Sequence, residues 1–314
     1  MEDASRLGNV YAMTAEKALA GFYRGRLQEA IDFVLWAYTP FRMMGAADLY
    51  DLISTNAFTA EGLYLNLGYW KEAQTIDQAC KAMAGLVAET AGMGPEDDVV
   101  DVGFGFAEQD ILWAQRFRPR HILGLNVNRS QVRIARWRVR QRGLSDRIDL
   151  MEGSATDMPL PDGSCDIVTA LECAFHFNTR EKFHSEAFRV LRPGGRLVLA
   201  DVIRSDRSTH SGTRKLQDYT WSKFAQKFAV PKDNADDRES YETKLRASGF
   251  GKVSVASIAE HVFPGWHRAV GDDPELMRRL PFAGQLPYRL LRHVGSDTVY
   301  GAFDYVLAAA IKPK

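Results

Sequence analysis

A glycine turn preceded by an acidic residue is the feature of this chain most able to bind a ligand. Asp101 lies in an apolar run, Gly103 and Gly105 follow it, and a helix-like stretch begins just after them. Glycines at a strand-to-helix turn let the backbone bend tightly and come close to a ligand. The turn contains no Lys or Arg, and the Gly-Lys-Ser/Thr of a P-loop is absent. The pattern therefore favours a nucleoside that carries an amine, such as S-adenosylmethionine (SAM), over a polyphosphate. An ordinary tight turn is the alternative.

Three ionisable residues stand where later apolar segments end and could handle a proton. Glu172 and His176 follow one such segment, and Asp201 ends the next. A histidine of near-neutral pKa can accept a hydroxyl proton, and a nearby carboxylate such as Asp201 would orient its ring. Glu172 is the rival base. The alternatives are a histidine that is simply packed between Phe175 and Phe177, and a structural acid at Glu172 that hydrogen-bonds to the backbone.

The elements that must position these residues alternate between strands and helices. Strands are predicted at 99–102, 121–125, 148–152, 165–171, 196–201, 253–258 and 302–311, with residues 192–195 forming a sharp turn. Helices are predicted at 75–92, 109–115, 130–142, 179–191 and 241–247. This alternation predicts an α/β fold with a doubly wound, mostly parallel, seven-stranded, Rossmann-like sheet. Ligands then lie beyond the carboxyl ends of the strands, at residues 103–109, 126–128, 153–158, 172–177 and 201–203.

The rest of the chain is expected to cover this core. An N-terminal helical lid is predicted over 1–75, including a helical stretch at 12–55, and the SAM-binding core over 76–203. A cap insertion is predicted over 204–240, and the remainder of the core over 241–314 with a helical insertion at 266–294. Five aromatic residues in the lid and the cap are candidates for binding the acceptor: Tyr69, Trp70, Trp221, Phe224 and Phe228. Aromatic faces also attract a sulfonium or a carbocation. Simple packing within a cap is the alternative.

Composition excludes several kinds of partner. Lys plus Arg and Asp plus Glu both number 40, so no global charge attracts nucleic acid or a membrane. The arginines between 133 and 142 are interpreted as the solvated face of a helix. The three cysteines lack metal-binding spacing, which predicts no metal site and fits a reducing compartment. No apolar run reaches transmembrane length, so we expect a cytoplasmic protein without membrane insertion.

Taken together, the motifs resemble those of class I SAM-dependent methyltransferases. The similar stretches are 100–105 (VDVGFG), 153–166 (GSATDMPLPDGSCD) and 189–197 (RVLRPGGRL), in family order. A closer resemblance is to bacterial natural-product methyltransferases, including macrolide sugar O-methyltransferases. It rests on 61–70 (EGLYLNLGYW), on Glu172 before His176, and on 303–306 (FDYV).

The resemblance implies SAM as cofactor and a set of residues that bind it. That set is Asp101, Gly103, Gly105, Asn126, Ser154, Ala155, Met158 and Glu172. Two positions depart from the family pattern: Ala107 stands where a third glycine is common, and Asn126 stands where an acid usually takes the ribose hydroxyls. An amide can accept from one hydroxyl and donate to the other.

The sequence therefore predicts a SAM-dependent methyltransferase acting on a small molecule, with O-methylation of a hydroxyl on a secondary metabolite as the preferred reaction. His176, Asp201 and Glu172 are the candidate catalytic residues. C-methylation of an isoprenoid alkene, with Glu172 as the base, is the first alternative, and a catalytically inactive SAM-binding partner protein is the second. A homo-oligomer is possible.

Overall fold

The computed structural model describes residues 59–206, 210–274 and 292–314, together with residues 276, 285, 289 and 290. The helical stretch predicted at 12–55, most of the predicted lid over 1–75, and part of the insertion predicted at 266–294 lie outside the described residues.

Within this part of the chain the strands form a single sheet of seven. They are β1 (Asp98–Val102), β2 (His121–Asn126), β3 (Ile148–Glu152), β4 (Cys165–Leu171), β5 (Leu191–Arg204), β6 (Gly251–Ser257) and β7 (Phe303–Ile311). Their order is β3-β2-β1-β4-β5-β7-β6, and only β7 runs antiparallel to its neighbours. The predicted mostly parallel seven-stranded sheet is confirmed.

Helices connect the strands and cover both faces of the sheet. They are α1 (Ile76–Ala91), α2 (Glu108–Arg116), α3 (Arg129–Gln141), α4 (Arg180–Val190), α5 (Ser211–Lys227), α6 (Arg238–Ala247), α7 (Phe263–Asp272) and α8 (Ser296–Tyr300). Local signals fix several ends: the Thr75 side chain caps α1, and Gly92 ends it in a left-handed conformation. Successive strand residues enter opposite clusters, with Val99 in one and Val100 in the other. Burial on both faces explains why the strands are continuous apolar runs.

One sequence-based prediction was wrong, and one helix was not predicted. Residues 192–195 do not form a separate turn, because β5 runs through them and the irregularity appears as a register shift against β4 between Cys165 and Ile167. Within the segment 204–240, for which a cap insertion but no individual element was predicted, the structure has the 17-residue helix α5 and a short 3-10 turn at Lys232–Asn234. Helix α5 was obscured because it carries apolar residues on both its buried and exposed sides, such as Trp221 and Tyr219.

No helix among the described residues is long and apolar enough to cross a membrane.

Candidate active site

The glycine turn between β1 and α2 forms a narrow cradle. Gly103 and Gly105 have φ values of 72° and 56°, in the left-handed region that favours glycine. A Cβ atom at Gly103 would lie 2.7 Å from Cys173 Sγ, and one at Gly105 would lie 3.0 Å from Leu65 Cδ1. Ala107 also has a left-handed φ, 58°, at the start of α2. The turn thus keeps the shape of the family pattern even without its third glycine.

Behind the cradle, Asp101 is fully buried beside a second acid. Its Oδ1 accepts from Thr169 Oγ1 at 2.7 Å, and its Oδ2 accepts from Gln109 Nε2 at 3.0 Å. Burial raises the pKa of Asp101 to about 7. Asp110, in the first turn of α2, is also fully buried, and burial followed by the charge of Asp101 raises its pKa well above the ordinary range. Burial and mutual repulsion therefore favour the protonated form of this pair.

Asn126 ends β2 and closes one side of the turn. Its Nδ2 donates to Gln131 Oε1 at 2.8 Å and to the Gly105 carbonyl at 3.5 Å, while its Oδ1 accepts from the Asn128 backbone at 3.0 Å. The next residue, Val127, is 54% exposed and offers an apolar surface beside the amide. Val127 lies within the turn 126–128 that the sequence placed at the ligand edge, although no role was predicted for this residue.

The three predicted adenine-side residues lie in the turn after β3. Ser154 Oγ pairs with Thr156 Oγ1 at 2.9 Å, and Ala155 and Met158 are buried. The Met158 backbone N–H donates to Glu186 Oε2 at 2.7 Å, which anchors this turn to α4. All three residues therefore stand at the same carboxyl edge of the sheet as Gly103 and Asn126.

A strap of residues 59–70 crosses this edge and is held by three carboxylates. Asp77 accepts the backbone N–H groups of residues 60–62 at 2.7–3.0 Å, and Glu108 accepts that of Leu63 at 2.9 Å. Glu172 accepts that of Leu67 at 2.7 Å. The strap has no helix or strand of its own. The acids that fasten it come from distant parts of the chain. Asp77 and Glu108 were missed because nothing local in the sequence marks them.

Glu172 combines this structural contact with chemical capacity. It has a left-handed φ of 51° at the end of β4, and its Oε1 also accepts from Tyr305 Oη at 2.5 Å. Its Oε2 accepts no hydrogen bond from a described residue. Burial raises the pKa of Glu172 to about 7, against the effect of its two hydrogen bonds. The carboxyl group can therefore gain or lose a proton near neutral pH.

His176 lies in the 3-10 turn Ala174–His176, four residues beyond Glu172. Its half-buried ring contacts that of Phe175, with centroids 4.0 Å apart. Burial lowers its pKa to about 4, a hydrogen bond with the backbone of Phe228 opposes the shift, and the charge of Arg180 adds to it. The imidazole is consequently neutral at pH 7.

The expected pairing of Asp201 with the His176 ring is not what the structure shows. Asp201 is fully buried at the end of β5, where its Oδ2 accepts from Arg180 Nε at 2.9 Å and from Tyr241 Oη at 3.2 Å. Its Oδ1 accepts the backbone N–H of Phe175 at 3.2 Å. Asp201 was expected to orient a ring, but a buried arginine, which the sequence does not reveal as a neighbour, takes that carboxylate instead.

The five predicted acceptor-site aromatics divide into two groups. Trp221, Phe224 and Phe228 of the cap region pack together, and Phe224 lies 6.0 Å from Phe175 and 4.9 Å from Phe303. Tyr69 and Trp70 belong to the strap and pack elsewhere. The Tyr69 ring meets that of His261 at 5.3 Å, and the backbone N–H of Trp70 donates to the His261 carbonyl at 2.7 Å. Only the first group adjoins the turn that carries His176.

This arrangement fits SAM. A glycine cradle, an amide, an exposed valine and the Glu172 carboxyl group converge at one edge, and the turn itself contains no Lys or Arg. The Arg138 guanidinium, which donates to the Phe106 carbonyl of the turn, is already paired with Glu108. A positively charged amino-acid ligand suits a surface with that balance of charge.

Comparisons with known proteins agree with this assignment. Residues 100–199 match the family model described as a methyltransferase domain. The chain is 35% identical over 302 residues to erythromycin 3''-O-methyltransferase of Saccharopolyspora erythraea, covering 92% of this chain and 98% of that protein.

Solved structures share the fold. The [4+2]-cyclase SpnF aligns with a TM-score of 0.64 and 22% identity, covering 86% of this chain and 98% of that one. A second structure is geranyl diphosphate C-methyltransferase of Streptomyces coelicolor A3(2), solved with Mg²⁺, geranyl diphosphate and S-adenosylhomocysteine. It aligns with a TM-score of 0.60 and 18% identity, covering 76% of this chain and 82% of that one. The chain has the sheet and the glycine cradle of this fold, and it aligns over nearly its whole length with erythromycin 3''-O-methyltransferase. It therefore belongs to the SAM-dependent methyltransferases and is an enzyme of that family.

Proposed function

We propose that this enzyme methylates a hydroxyl group on a small-molecule secondary metabolite. The observation that carries the proposal is the position of His176. A neutral imidazole stands at the carboxyl edge of the sheet, next to Phe175 and the aromatic group of the cap. Such a group can accept the proton that an alcohol must lose as its oxygen is methylated. The match to erythromycin 3''-O-methyltransferase supports the same reaction and favours a macrolide glycoside as acceptor.

The cofactor side of the site would be formed by the turns after β1, β2 and β3. SAM supplies an electrophilic methyl group when bound. Asp101, Gly103 and Gly105 would hold its amino-acid portion, Asn126 its ribose, and the 154–158 turn its adenine. Glu172 would lie between cofactor and strap, since its Oε1 already holds Leu67 and its Oε2 accepts no hydrogen bond from the described part of the chain. These residues orient the donor and keep the strap in place.

The acceptor side would be formed by the cap. Trp221, Phe224 and Phe228 present an apolar wall that borders His176, and Tyr69 and Trp70 would close the opposite side through the strap. Residues 1–75 and 204–240 would together act as a cover that excludes water. The division into lid, core, cap and C-terminal part, the homo-oligomer and the cytoplasmic location remain predictions.

Proton transfer would be brief and local. As the acceptor oxygen bonds to the methyl group, its proton passes to the unprotonated nitrogen of His176 and then to water. The low pKa of His176 ensures that the ring starts neutral and releases the proton readily. Much of the rate should come from holding the hydroxyl in line with the methyl group.

A second candidate, C-methylation of an isoprenoid alkene, is favoured by one observation. Glu172 has a free carboxylate oxygen and a pKa of about 7, which suits a group that stabilises a carbocation and then removes its proton. In that reaction the aromatic wall would also stabilise the cation.

The two reactions can be separated with two probes. A macrolide with a free 3''-hydroxyl and geranyl diphosphate with Mg²⁺ would each be supplied with SAM, and the methylated product would be identified by its mass. We expect the macrolide to be methylated and His176→Ala to lower kcat by about 10² to 10⁴ with SAM affinity nearly unchanged. Glu172→Gln should have the smaller effect on kcat.

His121→Gln is the matched control, because His121 begins β2 at the opposite edge of the sheet. Full turnover by His176→Ala would contradict the O-methylation mechanism. Methylation of geranyl diphosphate that depends on Glu172 would favour the second candidate.

A further inference from the structure

The turn that carries His176 is held by a side chain from a distant segment. Asn234, in the 3-10 turn that follows the cap helix, is fully buried. Its Nδ2 donates to the carbonyl of Phe175 at 3.0 Å and to the carbonyl of Phe177 at 2.7 Å. These carbonyls belong to the residues on either side of His176. One amide group therefore fixes the backbone before and after the imidazole.

The rest of the amide is also used. Asn234 Oδ1 accepts the backbone N–H of Arg180 at 2.9 Å, at the start of α4. Two donors and one acceptor with this spacing describe a side-chain amide, and neither aspartate nor alanine can reproduce the set. The bonds to the Phe175 carbonyl and from the Arg180 N–H are buried, so losing Asn234 would leave these two backbone groups unsatisfied in the core.

Asn234 is itself fixed by a buried charge network. The Arg180 guanidinium, fully buried, donates to the Asn234 carbonyl, to Asp201 Oδ2 at 2.9 Å and to Asp236 Oδ2 at 3.0 Å. It also donates to the Val202 carbonyl at 2.8 Å. Asp201 completes the hold through its bond from the Phe175 N–H. The turn that carries His176 is thus tied to β5, to α4 and to the 3-10 turn at Lys232–Asn234.

From this geometry we infer that Asn234 is a positioning residue, which sets the place of the His176 ring at the acceptor site by clamping the carbonyls of Phe175 and Phe177. The inference rests on the proposed function, in which His176 accepts the proton. This role also explains the position of Asp201, which bonds to the backbone of Phe175 next to His176 but not to the His176 ring. Asp201 and Arg180 support the clamp, and Asn234 transmits that support to the turn.

Two substitutions separate positioning from stability. Asn234→Ala removes all three side-chain bonds. Asn234→Asp keeps an acceptor for the Arg180 N–H but removes both donors to the turn. Tyr241→Phe is the matched control, because it removes a bond to Asp201 in the same buried network without touching the turn. A structural role predicts that kcat follows stability, so that Asn234→Asp resembles the wild type more than Asn234→Ala does.

Positioning predicts a different result. Both Asn234 variants should lower kcat by about 10- to 100-fold, since small misplacements of a reacting group cost that much. KM for the acceptor and the Kd for SAM should change little, and Tyr241→Phe should retain kcat. Unchanged kcat in both Asn234 variants, or a change confined to KM, would overturn the inference.

A direct readout does not depend on turnover. The titration of His176 would be followed by NMR, with His176→Gln identifying its signal. In the wild type, burial and the Arg180 charge lower the pKa of His176 to about 4 against the hydrogen bond with the Phe228 backbone, so we expect the midpoint there. When the clamp is removed the midpoint should rise toward the ordinary 6.5, because the ring gains contact with water. An unshifted midpoint in both variants would overturn the inference. If His176→Ala kept full turnover, the proposed base would be wrong, and the NMR result would still decide whether Asn234 places the ring.

Discussion

Two strand-end aspartates in this molecule have the same burial but opposite surroundings. Asp201 at the end of β5 and Asp101 near the end of β1 are both fully buried. Asp201 is paired with the Arg180 guanidinium, whose other donors reach Asp236 and the Val202 carbonyl. Asp101 instead lies beside Asp110, and the influences on its pKa include no cation among the described residues.

The difference suggests separate tasks for the two acids, and it supports the proposal that Asp101 serves the ligand. A buried carboxylate with its own arginine has its charge balanced whether or not a ligand is bound. A buried carboxyl pair without a cation is left to share a proton, and a positive ligand placed nearby would favour its ionised form. Asp201 thus holds the turn that carries His176, while Asp101 is the acid that we propose to hold the ammonium group of SAM.

Removing the arginine should have the largest effect. Arg180→Met would leave Asp201 and Asp236 buried without their partner, at a cost of about 3–5 kcal/mol in the free energy of unfolding. Urea denaturation at pH 7 measures this loss. Asp236 keeps a bond with Lys244 Nζ at 2.9 Å, so Asp201 should account for most of it. A loss below about 1 kcal/mol, within the range of ordinary surface changes, would show that the pairing does not balance the buried charge.

Removing Asp110, the second acid on the β1 side, should raise the free energy of unfolding instead of lowering it. In Asp110→Asn an amide replaces a carboxyl whose pKa burial raises well above its ordinary value of 3.8. For a raised acid, the folded state gains stability while the group is protonated, and it loses that stability as pH rises through the folded value. The variant should therefore be more stable than the wild type at pH 8, by about 1–3 kcal/mol.

Urea denaturation from pH 5 to pH 8 would measure the difference for Asp110→Asn. Asp146→Asn, an exposed acid, serves as the control and should leave the curve unchanged. A wild type that gains stability relative to Asp110→Asn as pH rises would contradict the shared-proton interpretation.

The sequence predicted the donor side of the molecule better than the acceptor side. The strand ends, the cradle of Gly103 and Gly105 and the position of Asn126 followed from local pattern, because a parallel sheet brings successive strand ends to one edge. The partner of Asp201 could not be predicted in this way. Arg180 and Asn234 are distant in sequence, and only the packing of α4 against the cap segment brings them to β5.

Tertiary contacts also limited the prediction of secondary structure. Helix α5 was missed where apolar residues face both the core and the solvent, and the bulge of β5 was taken for a turn at Gly194 and Gly195. In both places a local rule was overridden by tertiary contacts. The acids that fasten the strap, Asp77 and Glu108, have no signature at all, since any surface acid looks the same in sequence.

The β1 acid should affect ligand binding in a way that the β5 acid does not. Asp101→Ala should weaken SAM binding by at least about 1.5 kcal/mol, the scale of a hydrogen bond to a charged group. Titration calorimetry with SAM measures this. Tyr241→Phe, which removes a hydrogen bond to Asp201 and leaves the surroundings of Asp101 unchanged, should bind SAM like the wild type. Equal SAM affinity in Asp101→Ala and the wild type would remove Asp101 from the site.

The smallest expected effect concerns a histidine that borders the Arg180 network. His184 in α4 is fully buried, neither ring nitrogen has a hydrogen-bond partner among the described residues, and its ring meets that of Tyr241 at 5.5 Å. Burial, then the charges of Arg180 and Lys244, lower its pKa from 6.5 to about 3. Because the folded pKa is lowered, the folded state is fully favoured above pH 6.5 and loses stability as pH falls toward 3.

His184→Phe should remove this acid sensitivity and stabilise the protein by about 1 kcal/mol at pH 7, since it removes unsatisfied polar atoms. Urea denaturation at pH 7 and pH 5 would show the gap between variant and wild type widening at the lower pH. If the gap narrowed instead, the His184 ring would be gaining a partner when protonated, and the positive charge of Arg180 would not extend to this side of α4.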